Sequence, residues 1–303
     1  MFSLFRKSKV CVLMFHGVRG PQKSKETHIV GPENHVSSAF FESVIQAFLA
    51  NRFQPLSLKE AIINYTKAPS FVITLDDGFR DNLYVVLPIL ERYQLPATIY
   101  VTSGFVDNSV IPFEYRLASI INNSQTILLD EINDGAELSI SEKEEKKEIY
   151  HLVKKKLKYS TNSVRTKLLD RLSHLEKENL SVEYLSVEEL KKLASSPLIT
   201  IGSHTHFHHA LPAMSYPCIF EDIQLSKRLL ESWTNNPIVD FSFPYGASNK
   251  KIGKMLRGMG FCTAVTTKSG FLEPPAPFYR MDIPRVEINS LEHCAFIVNG
   301  LSL

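Results

Sequence analysis

Short apolar segments that suit buried strands alternate along the chain with segments whose apolar residues have helical spacing. VCVLMF at Val10–Phe15 and FVITL at 71–75 are continuous, and the second is rich in β-branched residues, as in strands buried on both faces. Further strand-like segments lie at 97–101, 198–201, 238–241, 261–266 and 283–288, and helical patterns lie at 40–51, 82–93, 186–194 and 220–233. This alternation predicts an α/β protein with a parallel sheet or barrel.

Residues 107–181 interrupt the alternation. They contain SEKEEKKEIYHLVKKKLKYS, followed by leucines at helical spacing. Glutamates are interspersed among the lysines, which favours the solvated face of an amphipathic helix over a basic patch for membranes or anions. We therefore predict a helical insertion, at about 107–181, within a single domain that spans residues 1–303.

The composition limits the classes of partner. The chain has 34 basic and 32 acidic residues, and this near balance argues against a nucleic-acid partner. The apolar run Val10–Phe15 is too short for a signal peptide or a membrane span. Four cysteines without C-x-x-C spacing predict buried free thiols, not a disulfide framework or a cysteine zinc site. These features predict a soluble, cytoplasmic protein.

Two adjacent carboxylates, Asp76 and Asp77, follow the strand predicted at 71–75 and precede Gly78. The carboxyl ends of strands are where α/β folds place their sites. Successive residues there point in different directions, so one carboxylate could bind a metal while its neighbour transfers protons. Asp-Gly is also common in turns, and the pair alone leaves both interpretations open.

Four histidines, His204, His206, His208 and His209, lie within six residues directly after another predicted strand. On one helical turn, His204 and His208 would share a face and offer two nitrogen ligands to Zn²⁺. His206 and His209 are outside this register, and packing or surface positions are expected for them, although one could line the pocket. Two histidines and one carboxylate form a typical catalytic zinc arrangement, in which a second carboxylate would be the general base.

These residues resemble the motifs of the polysaccharide deacetylases with a NodB-homology domain, carbohydrate esterase family 4. The T-[FL]-D-D-G motif is matched at 74–78, H-[ST]-x-x-H at 204–208 and P-Y-G at 244–246. The resemblance covers most of the chain outside the insertion. It implies a distorted (β/α)7-type barrel with fewer than eight complete units.

The resemblance also implies a role for each matched residue. Asp76 would be the general base. Asp77 would join His204 and His208 as ligands of a divalent metal, and this ligand set favours Zn²⁺. Tyr245 would donate its backbone N–H to the oxyanion.

Two positions depart from the family pattern. Ser242 stands where the family usually has an arginine, and Arg285 is the candidate to replace it, with a structural ion pair as the alternative. The usual C-terminal Leu-x-His motif is missing, since residues 291–293 (LEH) have the wrong strand context. His16, in the segment FHGV, resembles the N-terminal Y/F-H-x-V strand of a circularly rearranged branch of the family, where that histidine is the general acid. A packed core histidine is the alternative there.

The expected function is metal-dependent removal of an N-acetyl group from an amino sugar. The carbohydrate would be a surface polysaccharide or its lipid-linked or nucleotide-linked precursor, and the insertion could contact the inner membrane face peripherally. Phe15, Phe207, Phe243 or Tyr245 would suit the apolar face of a sugar, although aromatic residues at strand ends usually pack in the core. O-deacetylation, deformylation and a catalytically decayed carbohydrate-binding protein are the alternatives, and the sequence leaves the oligomeric state open.

Overall fold

Strands and helices alternate through most of the structure, a computed structural model that describes residues 9–20, 35–63, 68–128, 137–176, 184–273 and 279–302. The strands are β1 (Val10–Phe15), β2 (Gly17–Arg19), β3 (His35–Ser37), β4 (Gln54–Pro55), β5 (Ser70–Leu75), β6 (Ala97–Val101), β7 (Thr126–Leu128), β8 (Glu137–Ser139), β9 (Ile199–Ser203), β10 (Asp240–Ser242), β11 (Thr263–Ser269) and β12 (Arg280–Glu287). The α-helices are α1 (Ser38–Ala50), α2 (Leu58–Ile63), α3 (Leu87–Tyr93), α4 (Ser103–Val106), α5 (Phe113–Asn123), α6 (Lys143–Lys158), α7 (Asn162–Arg171), α8 (Val187–Ala194), α9 (Tyr216–Thr234), α10 (Lys250–Gly258) and α11 (Leu291–Ser302).

Seven parallel strands close into a barrel, which confirms the (β/α)7-type prediction. They follow one another in chain order around the ring as β1, β5, β6, β9, β10, β11 and β12. β1 closes it by pairing with β5 over its whole length and with β12 through Leu13 and Val286. Because every strand is parallel, all the carboxyl ends lie at one end of the barrel, where the predicted site residues follow their strands.

Alternation along each strand divides the core into two layers. Leu13, Ile73 and Ile99 point outward and pack in the large cluster between the strands and the surrounding helices. Their neighbours Val12 and Val72 point inward, into a smaller apolar cluster that fills the barrel interior together with residues of α2. Side chains two and four residues further along each strand also point inward, so this alternation brings the polar site into the barrel mouth.

Most predicted elements are present, with boundaries shifted by a few residues. Ser186 begins α8 through a capping box, because its hydroxyl accepts from the Glu189 N–H and the Glu189 carboxylate accepts from the Ser186 N–H. The helix predicted at 82–93 is divided into a π-helical turn at Asn82–Val86 and then α3. Pro88 lies in the first turn of α3, directly after the π-helical turn.

The helical turn predicted for His204 and His208 is wrong. The segment that carries His204 and His208 is a loop and not a helical turn. Thr205 and His208 have positive φ angles of 65° and 51°, which a helix does not allow. The two imidazoles still converge, because the loop folds back over the end of β9.

The predicted insertion forms its own small apolar cluster beside the barrel. The clustered residues come from α5, α6, α7 and the β7–β8 segment, and they include Leu117, Tyr150 and Leu169. The antiparallel pair of β7 and β8 was not expected from the helical pattern. Residues 129–136 and 177–181 of the insertion lie outside the described residues. Within the described part of the chain, every helix is too short or too polar to cross a membrane.

Candidate active site

Three side chains come together at the carboxyl end of the barrel. The Oδ1 atom of Asp77 lies 3.4 Å from Nε2 of His204 and 3.3 Å from Nε2 of His208. One ligand atom from each residue lies within 4.8 Å of the others, which suits a single bound cation. The structure therefore brings together the three residues predicted as metal ligands.

The backbone around these residues adopts left-handed conformations. φ is 76° at Asp77, 51° at His208 and 58° at Tyr245. Such conformations cost free energy in residues other than glycine, and they cluster at functional sites. At Asp77 the turn separates the two carboxylates, so that Asp76 points into the barrel while Asp77 faces the imidazoles.

The ring orientation of His204 is fixed by its second nitrogen. Nδ1 of His204 lies 2.8 Å from the carbonyl oxygen of Ser242, so this nitrogen carries the proton and Nε2 keeps its lone pair toward Asp77. Burial lowers the pKa of His204 to about 4. The imidazole is therefore neutral at pH 7, as a metal ligand must be.

The environment of the Asp77 carboxylate shows whether the three residues fit a metal ion. Its Oδ1 atom is buried and lacks a hydrogen-bond partner among the described residues. Burial alone would raise the pKa of Asp77, but interaction with the imidazoles of His208, His16 and His204 lowers it overall. A buried carboxylate oxygen that faces two imidazole nitrogens without a hydrogen bond fits a cation ligand, because such groups otherwise find partners.

Arg285 binds Asp76 through two hydrogen bonds inside the barrel. Nη1 donates to Oδ1 at 2.8 Å and Nη2 donates to Oδ2 at 2.6 Å. The other three N–H groups of the guanidinium are also used, and their acceptors are the Thr266 carbonyl (2.9 Å), the Thr74 hydroxyl (3.2 Å) and the Ser242 hydroxyl (3.2 Å). Arg285 is only 1% exposed, so this complete set of acceptors compensates the loss of water.

The small side chain of Ser242 lies beside the guanidinium of Arg285 and the carboxylate of Asp76. Its hydroxyl donates to Oδ2 of Asp76 at 3.3 Å and accepts from Arg285, so a small side chain leaves room for the arginine from β12. Burial alone would raise the pKa of Asp76, yet the charge of Arg285, with weaker contributions from His204 and His16, holds this pKa below its usual value. Asp76 is therefore a carboxylate at neutral pH.

His16 lies at the end of β1 and lines the same cavity as Asp76 and Asp77. His16 and the following strand β2 are held by two residues that had not been predicted as site residues. Asn82 donates its side-chain N–H to the His16 carbonyl at 3.1 Å, and Asp81 accepts from the Val18 N–H at 2.8 Å. His293 of α11 lines the cavity as well, although its sequence context had argued against a role.

A cavity of about 530 Å³ connects the barrel mouth to the insertion. Its aromatic lining consists of Phe79, Phe105, Tyr115, Tyr184 and Tyr245. Of the four aromatic residues expected beside a sugar, only Tyr245 is part of this lining. Phe15 and Phe243 are buried in the core, and Phe207 packs against the rings of His206 and His209. Tyr184 stacks on Phe79 at a centroid distance of 4.9 Å. The contact between Phe79 and Tyr184 could not be predicted from the sequence, because the two residues belong to segments that are distant in the chain.

Tyr245 connects the site to the insertion. Its ring lies 4.6 Å from the ring of His208, and its hydroxyl donates to Oε1 of Glu114 at 2.6 Å. Gly246 follows with a φ of 66°, and a Cβ there would lie 2.6 Å from the backbone nitrogen of Thr267. Only glycine allows this close approach, which places Tyr245 against β11.

The loop at residues 204–210, called here the histidine loop, is supported by α9. Asp222 is buried and accepts from the backbone N–H groups of His206 at 2.6 Å and Phe207 at 3.2 Å. His209 Nδ1 lies 3.9 Å from the Asp222 carboxylate, but burial lowers the pKa of His209 to about 3, so it is a neutral neighbour and not an ion-pair partner. His206 is bonded to Ser103 at 2.9 Å. Both histidines are thus buried packing residues, and the surface positions considered for them are excluded.

Comparison with known proteins identifies the family. The polysaccharide deacetylase family matches residues 64–264, more than half of the chain. The chain belongs to the polysaccharide deacetylase family. Among its relatives in the family, "Putative polysaccharide deacetylase YxkH" from Bacillus subtilis is 31% identical over 100 residues, and the match spans 31% of this chain and 32% of that protein.

Solved structures share the fold of this polysaccharide deacetylase. The Streptococcus pyogenes deacetylase PplD in complex with acetate superposes with a TM-score of 0.63 at 16% identity, over 97% of this chain and 99% of PplD. A de-N-acetylase from Aggregatibacter actinomycetemcomitans superposes with a TM-score of 0.61 at 15% identity, over 97% of this chain and 100% of that chain. At these identities the likeness establishes the barrel fold.

Proposed function

We propose that this chain is a metal-dependent deacetylase that removes the N-acetyl group from an amino sugar of a surface polysaccharide, or of its lipid-linked or nucleotide-linked precursor. The observation that carries the proposal is the separation of two adjacent carboxylates. Asp77 faces two imidazoles with an unpartnered oxygen, whereas Asp76 is held ionised by Arg285. A pair divided in this way suits one metal ligand and one base.

Asp77, His204 and His208 would hold the metal, and two imidazoles with one carboxylate favour Zn²⁺. A bound ion would polarise the acyl carbonyl and make water more acidic. The protein side chains supply the remaining steps. Asp76 takes the proton of the attacking water, and Arg285 fixes the orientation of this carboxylate.

The leaving group requires a proton donor, because an amine departs poorly as its anion. His16 lies in the same cavity and, when protonated, delivers this proton to the amine nitrogen. The backbone N–H of Tyr245 donates to the developing oxyanion. The preference for an N-acetyl group is supported by the family and by the structural likeness to a de-N-acetylase.

The test is acetate release from N-acetylglucosamine oligomers by Zn²⁺-loaded wild type, Asp76→Asn and His16→Ala proteins. Activity in the wild type that falls by at least about 100-fold in both variants is the expected result for a base and an acid. Formate release from N-formyl sugars in place of acetate would favour deformylation, and release only from O-acetylated sugars would favour an O-deacetylase. Stoichiometric metal binding without turnover of any of these substrates would favour a decayed carbohydrate-binding protein.

We place this reaction in the cytoplasm or at the inner membrane face, where the precursors of surface polysaccharides are assembled. The excess of lysines over glutamates on α6 supports this location, because it would attract the helix to anionic lipid. Activity recovered only from an exported fraction of cells would contradict it.

A further inference from the structure

We propose that Lys154 and Lys158 bind a phosphate or diphosphate group attached to the amino sugar. This inference rests on the proposed function and specifies its substrate class. The two lysines are four residues apart on one face of α6, and both line the cavity that contains Asp77 and His204. The helix therefore directs two positive charges into the catalytic cavity.

The charges of both lysines are available to a ligand. Within the described part of the chain, neither ammonium has a carboxylate within 4.0 Å. Instead, Nζ of Lys154 lies 5.6 Å from the centroid of the Tyr150 ring, and Nζ of Lys158 lies 4.7 Å from that of Tyr245. Aromatic faces attract an ammonium without neutralising it, so they orient both side chains and leave their charge for an anion.

The position of Lys158 is fixed relative to the metal ligands. Arg165 donates to the carbonyl oxygens of Leu157 (2.8 Å) and Lys158 (2.9 Å) at the end of α6, and also to that of His208 (3.4 Å). Arg165 is 4% exposed, so one buried guanidinium joins the helix to the histidine loop. An anion bound by the lysines would therefore lie at a constant offset from the reacting centre.

Three of the four carboxylates that line the cavity belong to the barrel strands or follow them, whereas α6 contributes only the two lysines to the lining. Arg285 compensates Asp76, and Glu114 is bonded to the Tyr245 hydroxyl. The other two carboxylates of the lining are Asp77, which a bound divalent ion would compensate, and Glu287, which belongs to β12 on the barrel side. Two lysines on adjacent helical turns suit a tetrahedral, multiply charged oxyanion, because each ammonium is a compact point charge with three donors.

The experiment compares kcat/KM for acetate release from five substrates. N-acetylglucosamine oligomer is neutral, N-acetylmuramic acid carries a carboxylate, and N-acetylglucosamine 1-phosphate carries a phosphate. UDP-N-acetylglucosamine and a short-chain polyprenyl diphosphate N-acetylglucosamine separate the nucleotide source from the lipid source. The proteins are Zn²⁺-loaded wild type, Lys154→Gln, Lys158→Gln and the matched control Lys155→Gln, which changes an exposed lysine of the same helix outside the cavity lining.

Wild type should prefer the phosphorylated sugars to the neutral oligomer, and each cavity variant should reduce that preference by about 10- to 150-fold, as expected for a charge-assisted hydrogen bond. Lys155→Gln should retain the wild-type preference. An equal loss for neutral and phosphorylated substrates, a loss equal to that of Lys155→Gln, or a preference for the carboxylate sugar would overturn the proposal.

A binding measurement separates failure of this inference from failure of the proposed function. Zn²⁺-loaded Asp76→Asn protein is titrated calorimetrically with N-acetylglucosamine 1-phosphate and with N-acetylglucosamine, with and without Lys158→Gln. Tighter binding of the phosphate sugar that Lys158→Gln abolishes supports the anion site even if no substrate is turned over. Equal binding of both sugars contradicts it even if the neutral oligomer is deacetylated.

Discussion

The pairing of Asp76 with Arg285 has consequences for both stability and catalysis. A buried carboxylate that loses its counter-charge is costly, so we expect Arg285→Met to lower the unfolding free energy by about 3–5 kcal/mol. The control is Arg280→Met on the same strand, where the partly exposed pair with Asp282 should contribute less than about 1 kcal/mol. Denaturant unfolding of both variants measures the difference.

The same variant should also change the pH dependence of activity. Arg285 lowers the pKa of Asp76, so its removal should move the acidic limb of the kcat/KM profile to higher pH. Arg285→Lys keeps the charge without the two parallel hydrogen bonds and should fall between wild type and Arg285→Met. A profile unchanged in Arg285→Met would mean that Arg285 is a structural partner only.

His16 and His293 both line the cavity, and substitution can show which of the two is the general acid. If His16 is the general acid, His16→Ala should lower kcat for an acetamide by about 100-fold or more, with a smaller loss for a substrate whose leaving group needs no proton. His293→Ala should change KM more than kcat. The reverse result would assign the acid to His293 of α11 and contradict the role proposed for His16.

Helix α9 supports the histidine loop through Asp222, and substitution of Asp222 tests this contact between the two elements. Asp222→Ala removes the acceptor for two backbone N–H groups and should lower the unfolding free energy by about 1–3 kcal/mol and the metal affinity by about 10- to 100-fold. Asp222→Asn keeps a carbonyl acceptor, so its unfolding free energy and its metal affinity should both fall less. Equal metal affinity in all three proteins would show that the loop holds its shape without α9.

Asp222 also predicts a pH dependence of stability. Burial raises the pKa of Asp222 from 3.8 to about 6, so the folded protein keeps this proton at a pH where the unfolded chain has released it. The stability of the wild type relative to Asp222→Asn should therefore fall by about 3 kcal/mol as the pH rises from about 3 to 7. Unfolding curves at several pH values measure this difference, and a constant difference would contradict it.

At the level of elements, the sequence was most informative where apolar residues run without interruption. β1 and β6 have the predicted boundaries because every residue in them is buried. The histidine loop was misassigned because a spacing of four residues suits both a helical turn and a loop with left-handed residues. Lys154 could not be predicted as a site residue, since only the packing of the insertion against the barrel brings it there, and Tyr184 could not, since its contact with Phe79 joins segments distant in sequence.

At the level of the whole molecule, the metal would join parts of the chain that are distant in sequence. Asp77 follows β5, and His204 and His208 follow β9, so a bound ion should stabilise the barrel as a unit. At free Zn²⁺ about 100-fold above Kd, the unfolding free energy should rise by about 2.7 kcal/mol. Zn²⁺ should raise the unfolding free energy of Asp77→Asn much less, whereas it should stabilise the exposed control Asp282→Asn as much as the wild type. Thermal unfolding with Zn²⁺ and with a chelator provides the measurement.

The closed ring of strands lets side chains from different strands reach the same carboxylate. β10 and β12 both direct a side chain to the level of Asp76, and these side chains are Ser242 and Arg285. The guanidinium of Arg285 therefore reaches from β12 a carboxylate that β10 also contacts through Ser242. A motif search that demands arginine two residues before P-Y-G would discard this chain. A search that accepts arginine at the same depth on either strand would keep it, and it would reveal how often the two positions have exchanged this residue.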